Sequence, residues 1–351
     1  MRTFPGNNTA QGFFSYYDDL LAGKQRIFLL KGGPGTGKSS LMRRVGAHFQ
    51  DKGYGVDWHH CSGDPLSLDA VSIPALGALI ADATMPHALE PRSPGIREEI
   101  VALGNYWDRK QLVRNQTTIQ HLDQQRRNAY KDAYTALKQA GVARAAMAEA
   151  LQPQAYQLLP KLRACKEEIM TQITSSALPS TSSRCFFTAI TCMGIVSLVP
   201  LLVAQGAQIY MVISQYVGWS EFIAHIAYEC RLHGVPAMLL ADPLEPHQWE
   251  GIYLPQQQHL YIQQPYSTAV TGQLYDKQLL TTLQHQPFWA DLTLQDDTPW
   301  QRSIDLHIQE AQQHLHTART LHQEIETYYT PAMDFDGVAE RGQTIIRELD
   351  T

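Results

Sequence analysis

Two stretches of the chain share one hydrophobic pattern. Residues 27–54 (IFLLKGGPGTGKSSLMRRVGAHFQDKGY) begin with an apolar run that reads as a strand, and a loop and an amphipathic helix follow, ending at a glycine. Residues 209–235 (IYMVISQYVGWSEFIAHIAYECRLHGV) repeat the order strand, loop, helix, glycine. The register is fixed on both sides of the loop. Gly12 and Gly194, Ser15 and Ser197, Leu20 and Leu202, and Ile27 and Ile209 are each 182 positions apart (194 − 12). Beyond the loop Gly53 and Gly234, Pro65 and Pro246, and Pro74 and Pro255 are 181 apart (234 − 53). The second copy therefore lacks one residue of the loop between Lys31 and Gly37, and the pattern predicts an internal duplication.

Each half predicts the same series. A short strand opens it, a helix follows near 12–21 or 194–203, and then come the strand, loop and helix already described. A second strand (GVDWHHC, VPAMLLAD) and a third (LGALIAD, QHLYIQ) complete the unit. Strands alternating with helices predict an α/β fold, a three-layer parallel sheet with ligands at the carboxyl ends of its strands. Helical character then takes over in 115–173 and again from Ser303 to the end, with a turn expected near Pro153 and Pro331. These helical hairpins are expected to serve packing, homo-oligomer formation or contact with a protein partner. The linker SSALPSTSSR, 175–184, marks a boundary, so the expected domains are 1–183 and 184–351.

One loop has the residues for chemistry. Gly32-Gly33-Pro34-Gly35-Thr36-Gly37-Lys38-Ser39 fits GxxxxGK[ST] between a strand and a helix, and Ser40 opens the helix with it. Glycines let the backbone N–H groups curl around phosphates, and the helix N-terminus adds its dipole. Lys38 is expected to reach the β- and γ-phosphates of ATP, with the Ser39 hydroxyl on Mg²⁺. Asp82, ending the apolar run ALIAD, is the expected second metal-holding group, and Ala83 rather than Glu follows it. Turnover is therefore expected to be slow. In the second copy Lys38 aligns with Trp219, Ser39 with Ser220 and Asp82 with Gln263, while Ser214, Gln215 and Tyr216 stand where glycines were. One nucleotide site is expected, in the N-terminal half.

Other polar residues leave alternatives open. Asp64 or Asp69 is placed to activate a phosphoryl acceptor, as in a small-molecule or nucleotide kinase, although capping of a turn is the plainer reading. His59, His60, Cys61 and His87 lack the spacing of a zinc site. Arg92, Arg97 and Arg109 occupy a possible lid region, with surface placement the default. A non-catalytic nucleotide-sensing scaffold is the third alternative.

Composition narrows the classes further. The net charge of −6 over 351 residues argues against a broad nucleic-acid-binding face. Five cysteines (Cys61, Cys165, Cys185, Cys192, Cys230) without CxxC spacing predict free thiols and a cytoplasmic setting. The N-terminal MRTFPGNNTAQGFF offers no signal-peptide run. Residues 185–204 are apolar enough to test against a membrane, but Thr188, Thr191, Ser197 and Pro200 interrupt them, so no membrane span is expected.

The chain resembles uncharacterised bacterial tandem P-loop ATPases. The matching segments are IFLLKGGPGTGKSSLM, the strand-end HC with SLD after it, IPALGALIADATMPHALEPRSPG and YYTPAMDFDGV, so the resemblance spans nearly the whole chain. It implies a P-loop unit in each half and ATP binding. It also implies that Thr84, Pro86, His87, Pro91 and Gly95 shape the site near the γ-phosphate. Many relatives keep a second GxxxxGK[ST], and this chain departs from them there.

Overall fold

The computed structural model describes residues 1–86, 88–173, 182–214, 217–263, 288–294 and 298–350. The chain opens with strands β1 (Arg2–Thr3), β2 (Gly6–Thr9) and β3 (Gly12–Ser15), helix α1 (Tyr17–Leu21), strand β4 (Arg26–Lys31) and helix α2 (Lys38–Asp51). Strands β5 (Asp57–His60), β6 (Leu68–Ile73), β7 (Ala78–Asp82) and β8 (Glu98–Ala102) follow. Helices α3 (Arg109–Arg114), α4 (Gln116–Leu151) and α5 (Leu159–Gln172) come next. The series then restarts with β9 (Ser182–Cys185), β10 (Thr188–Thr191), β11 (Gly194–Ser197), α6 (Val199–Ala204), β12 (Gln208–Ser214) and α7 (Trp219–Leu232). Strands β13 (Ala237–Ala241), β14 (Trp249–Leu254), β15 (His259–Gln263) and β16 (Phe288–Leu292) precede helices α8 (Thr298–Tyr329) and α9 (Phe335–Leu349).

The fold is mixed α/β. The first six-stranded sheet has the order β1-β5-β6-β7-β4-β8. Its β1/β5, β7/β4 and β4/β8 pairs are parallel, but β6 runs antiparallel to both β5 and β7. The wholly parallel sheet expected from the sequence is thus corrected. Leu68–Ile73, next to a segment that reads as a turn, is a fully buried strand, and the chain reverses through Pro74–Leu76 with Gly77 at φ 57°. In the second sheet, read from β9, the order β9-β13-β14-β15-β12-β16 reproduces the first strand for strand and direction for direction. Individual hydrogen bonds repeat as well. Ser39 Oγ accepts from the Leu68 N–H at 3.1 Å, and Ser220 Oγ accepts from the Trp249 N–H at 3.0 Å.

The helices expected near 12–21 and 194–203 are shorter than the pattern suggests. Gly12–Ser15 and Gly194–Ser197 are strands of two small hairpins, β2–β3 and β10–β11. Gly12 at φ 92° and Gly194 at φ 105° take the left-handed conformation that lets the chain reverse there. Only Tyr17–Leu21 and Val199–Ala204 remain helical. The apolar segment 185–204 is therefore mostly hairpin, and among the described residues no helix is long and apolar enough to cross a membrane.

Two compact units result, and they do not follow a boundary at 183/184. The first comprises Met1–Pro5, Tyr17–Asp132 and Gln313–Thr351, the second Gly6–Tyr16 and Ala133–Gln312. Packing explains both exchanges. In the second unit the Asn7 and Asn8 side chains donate to the Thr188 and Ile190 carbonyls at 3.2 and 2.8 Å, which ties the first hairpin there. In the first unit Val338, Ile345 and Ile346 of α9 join the core of Phe28, Leu41, Met42 and Val45. Strand β4 shows how that core is arranged. Phe28 and Leu30 face α2 and α9, while Ile27 and Leu29 face a second cluster with Leu20 and Leu21 beside α1. A strand buried on both faces reads as an unbroken apolar run, which is what IFLL is. The linker 175–184 lies outside the described residues up to position 181.

Candidate functional site

The loop between β4 and α2 owes its shape to two glycines. Gly35 at φ 65° and Gly37 at φ 84° adopt the left-handed conformation that side chains with a Cβ resist. Gly37 is also the N-cap of α2 and provides no side-chain cap. The first N–H groups of α2 therefore lack side-chain capping and open toward the loop, an arrangement that favours an anion. The Thr36 hydroxyl donates to the Gly33 carbonyl at 2.9 Å and braces the turn. Lys38 Nζ donates to the carbonyls of Gly32 and Gly33, both at 2.8 Å, and lies 3.7 Å from Asp82 Oδ2.

Asp82 reaches this point because β7 pairs directly with β4, Leu30 opposite Asp82. Its Oδ1 accepts from the Thr84 N–H at 2.8 Å and from the Thr84 hydroxyl, so the carboxylate is held in orientation. Residues 31–40, Asp82, Thr84 and Pro86 line one cavity of about 900 Å³. Every predicted loop residue from Gly32 to Ser40 is thus brought together with Asp82. His87 and the pair Gln215 and Tyr216 lie outside the described residues. Pro91 and Gly95 are not in this wall. Arg92 pairs with Asp18 at 2.6 Å, Arg97 Nε donates to the Lys24 carbonyl at 2.9 Å, and Arg109 is exposed at the start of α3, so none of the three forms a lid here.

Several lining residues come from segments that sequence reasoning placed elsewhere or passed over. Asp69 is a strand residue of β6 rather than a turn cap, buried near Tyr17 and Cys61. Burial pushes the Tyr17 hydroxyl and the Cys61 thiol well above their ordinary pKa values, and the nearby Asp69 charge adds to this. Asp64 also lines the cavity, where it pairs with Arg319 at 2.7 Å. Arg319, His322 and Glu326 project from one face of α8 at helical spacing, the signal that would have grouped them. Glu326 lies against the loop itself, its Cα and Cβ 3.5 Å from where a Cβ on Gly35 would be. His322, bonded to its carboxylate, is the first cause that holds Glu326 below the usual carboxylate range. A Cβ on Gly33 would lie 3.1 Å from the Tyr329 ring, and one on Gly35 2.9 Å from Thr330 Oγ1, so α8 and the turn after it lie against the loop.

The two buried histidines are core residues. His59 bonds Thr3 Oγ1 at 2.7 Å and Ser72 Oγ at 2.9 Å, and burial pushes it down to about 4. His60 bonds the Pro65 carbonyl through Nδ1 at 2.8 Å. Among the described residues no His, Cys, Asp and Glu cluster could hold a metal by itself, and none of the five cysteines forms a disulfide.

The aligned position in the second unit is filled differently. Trp219 stands where Lys38 does, fully buried, with its Nε1 donating to the Glu250 carbonyl at 2.9 Å and its ring stacked on Phe222. Gly218 keeps the left-handed N-cap at φ 78°, and Leu158 and Leu162 sit 3.7 Å from where its Cβ would be. Gln263, in the place of Asp82, is buried. No family model, curated protein or solved structure matches the chain.

Proposed function

We propose that this protein is a cytoplasmic P-loop NTPase, internally duplicated, that binds one Mg·ATP in its first unit and hydrolyses it slowly. The observation behind this reading is the convergence of Lys38, Ser39 and Asp82 with an uncapped helix N-terminus on one cavity. The donor set suits the ligand: backbone N–H groups and an ammonium for phosphate oxygens, a hydroxyl and a carboxylate for a hard divalent cation. The repeated strand order and hydrogen bonds support the duplication, and Trp219 and Gln263 in the second copy support a single site.

In this reading Lys38 leaves the Gly32 and Gly33 carbonyls for the β- and γ-phosphate oxygens, where its charge offsets the charge that develops on the transferring group. Ser39 and Asp82 hold Mg²⁺, which supplies further charge neutralisation when bound. The N–H groups of Gly35, Gly37 and Lys38 fix the phosphates in line. Helix α8 touches the same loop through Glu326 and Tyr329, which gives the helical hairpins a route for passing the nucleotide state to a protein partner or a second copy of the chain.

A kinase is the second reading, favoured by one observation: Asp64 and Asp69 line the same cavity as Lys38. There one of these carboxylates accepts the proton of an acceptor hydroxyl. Phosphate release from ATP distinguishes the two. Hydrolysis in buffer that requires Mg²⁺ and is lost in Asp82→Asn supports the ATPase, ADP formation only with an added acceptor supports the kinase, and no ATP binding at all rejects both.

A further inference from the structure

Phe335 is the first residue of α9 and is 42% exposed, although the next turn of the helix buries Val338 in the core. Its ring belongs to the wall of the cavity that also presents Lys38, Ser39, Asp82 and arginines. The ring edge lies 3.4 Å from where a Cβ on Gly37 would be, at the entry to α2. Helix α9 runs alongside α2 in the same direction. Val338 lies near Gly37, Gly342 near Leu41, and Asp350 accepts from Lys52 Nζ at 2.8 Å.

The ring is held in place by a built turn. The Asp334 N–H donates to the Tyr106 carbonyl at 2.7 Å, and Asp334 Oδ1 caps α9 by accepting from the Gly337 N–H at 3.0 Å. Gly337 has no Cβ because the Tyr106 ring would stand 2.6 Å from it. The position of Phe335 is thereby fixed before any ligand arrives, which reduces the ordering cost of a stacked contact.

In such a loop the backbone N–H groups hold the α- and β-phosphates while Lys38 reaches the β- and γ-phosphates, so the α-phosphate lies farthest from the Lys38 ammonium. A nucleoside leaves the loop at that end, away from Asp82, and Phe335 stands there. Trp107 also lines the cavity, but its ring lies over Gly104, within 3.0 Å of the position a Cβ would take, and meets Tyr329 edge to face. We propose that Phe335 is the stacking platform for the planar base of the bound nucleotide. The inference rests on the nucleotide-binding reading of the same cavity. It adds that the base is gripped by the C-terminal helix, and that recognition of the base is by its face.

Titration of Mg·ATP and of Mg·tripolyphosphate into the wild type, Phe335→Ala and Phe335→Trp separates the two layers. Loss of one base–aromatic contact weakens ATP about tenfold in Phe335→Ala and leaves tripolyphosphate within about twofold. Phe335→Trp keeps ATP affinity, and its indole emission changes with ATP but not with tripolyphosphate. Equal weakening of both ligands, or unchanged ATP affinity in Phe335→Ala, overturns the stacking role while leaving the phosphate site standing. Failure of the wild type to bind either ligand overturns the nucleotide reading and this inference together.

Discussion

Replacing Glu326 with Gln removes one negative charge beside the glycine loop without changing the length of the side chain. Glu326 lies beside Gly35, its Cβ 3.5 Å from where a Cβ on that glycine would be, so its charge stands close to loop N–H groups that an incoming phosphate would use. Two unit charges about 5 Å apart interact with about 3 kcal/mol at an effective dielectric of about 20. Glu326 is 36% exposed, so solvent screening and rotation away from the loop reduce that figure to about 1–2 kcal/mol. Glu326→Gln is therefore expected to bind Mg·ATP about 5- to 30-fold more tightly than the wild type. Calorimetric titration at low and high salt measures it, and the gain should shrink as salt rises. Stability moves the other way. The folded-state pKa of Glu326 is depressed, chiefly by the bond from His322, so its contribution is present above the unfolded value and is lost as pH falls through the folded one. The variant should melt slightly lower at neutral pH, and the difference should close in acid. Unchanged or weaker ATP binding, or a gain indifferent to salt, would refute the reasoning.

Two predictions concern the second unit. Trp219→Ala should lower stability by about 3–5 kcal/mol in urea unfolding, because it empties a fully buried site, and should leave Mg·ATP affinity as it was. A loss of ATP affinity in the folded variant would mean that the second loop takes part in binding. Burial pushes the Glu250 carboxyl up to about 8 from an ordinary value of 4.5. The folded state thus holds a proton that the unfolded state releases, and stability should fall as pH rises from about 4.5 through 8. Urea midpoints between pH 5 and 9 test this, and Glu250→Gln should flatten the slope.

The parts of the site that the sequence made legible are local ones. Strand β4, the glycine loop and the start of α2 are consecutive, so turn chemistry and hydrophobic pattern meet within sixteen residues from Arg26 to Leu41. Asp82 was legible because an acid ends an apolar run, and Trp219 because a fixed register placed it opposite Lys38. The strand containing Asp69 was harder to read: LDAVSI is short, lies beside polar turn residues, and pairs antiparallel in a sheet expected to be parallel. The apolar face of α9 was visible as periodicity, but periodicity names a face and not what covers it. Its packing beside α2 joins residues nearly three hundred positions apart, as Gly37 and Phe335 show, and that distance also hid Glu326 and Arg319. The exchange of Gly6–Tyr16 and Gln313–Thr351 between the two units follows from such non-local contacts, and no boundary composition announces it.

The central claim is that this chain holds one Mg·ATP and that Lys38 grips it. Calorimetric titration of Mg·ATP into the wild type and Lys38→Ala tests both parts at once. The account predicts one nucleotide per chain, and an affinity at least about tenfold lower in the variant, since bonds from a charged donor contribute about 1.5–3 kcal/mol. Two nucleotides per chain, or binding indifferent to Lys38→Ala, would contradict it.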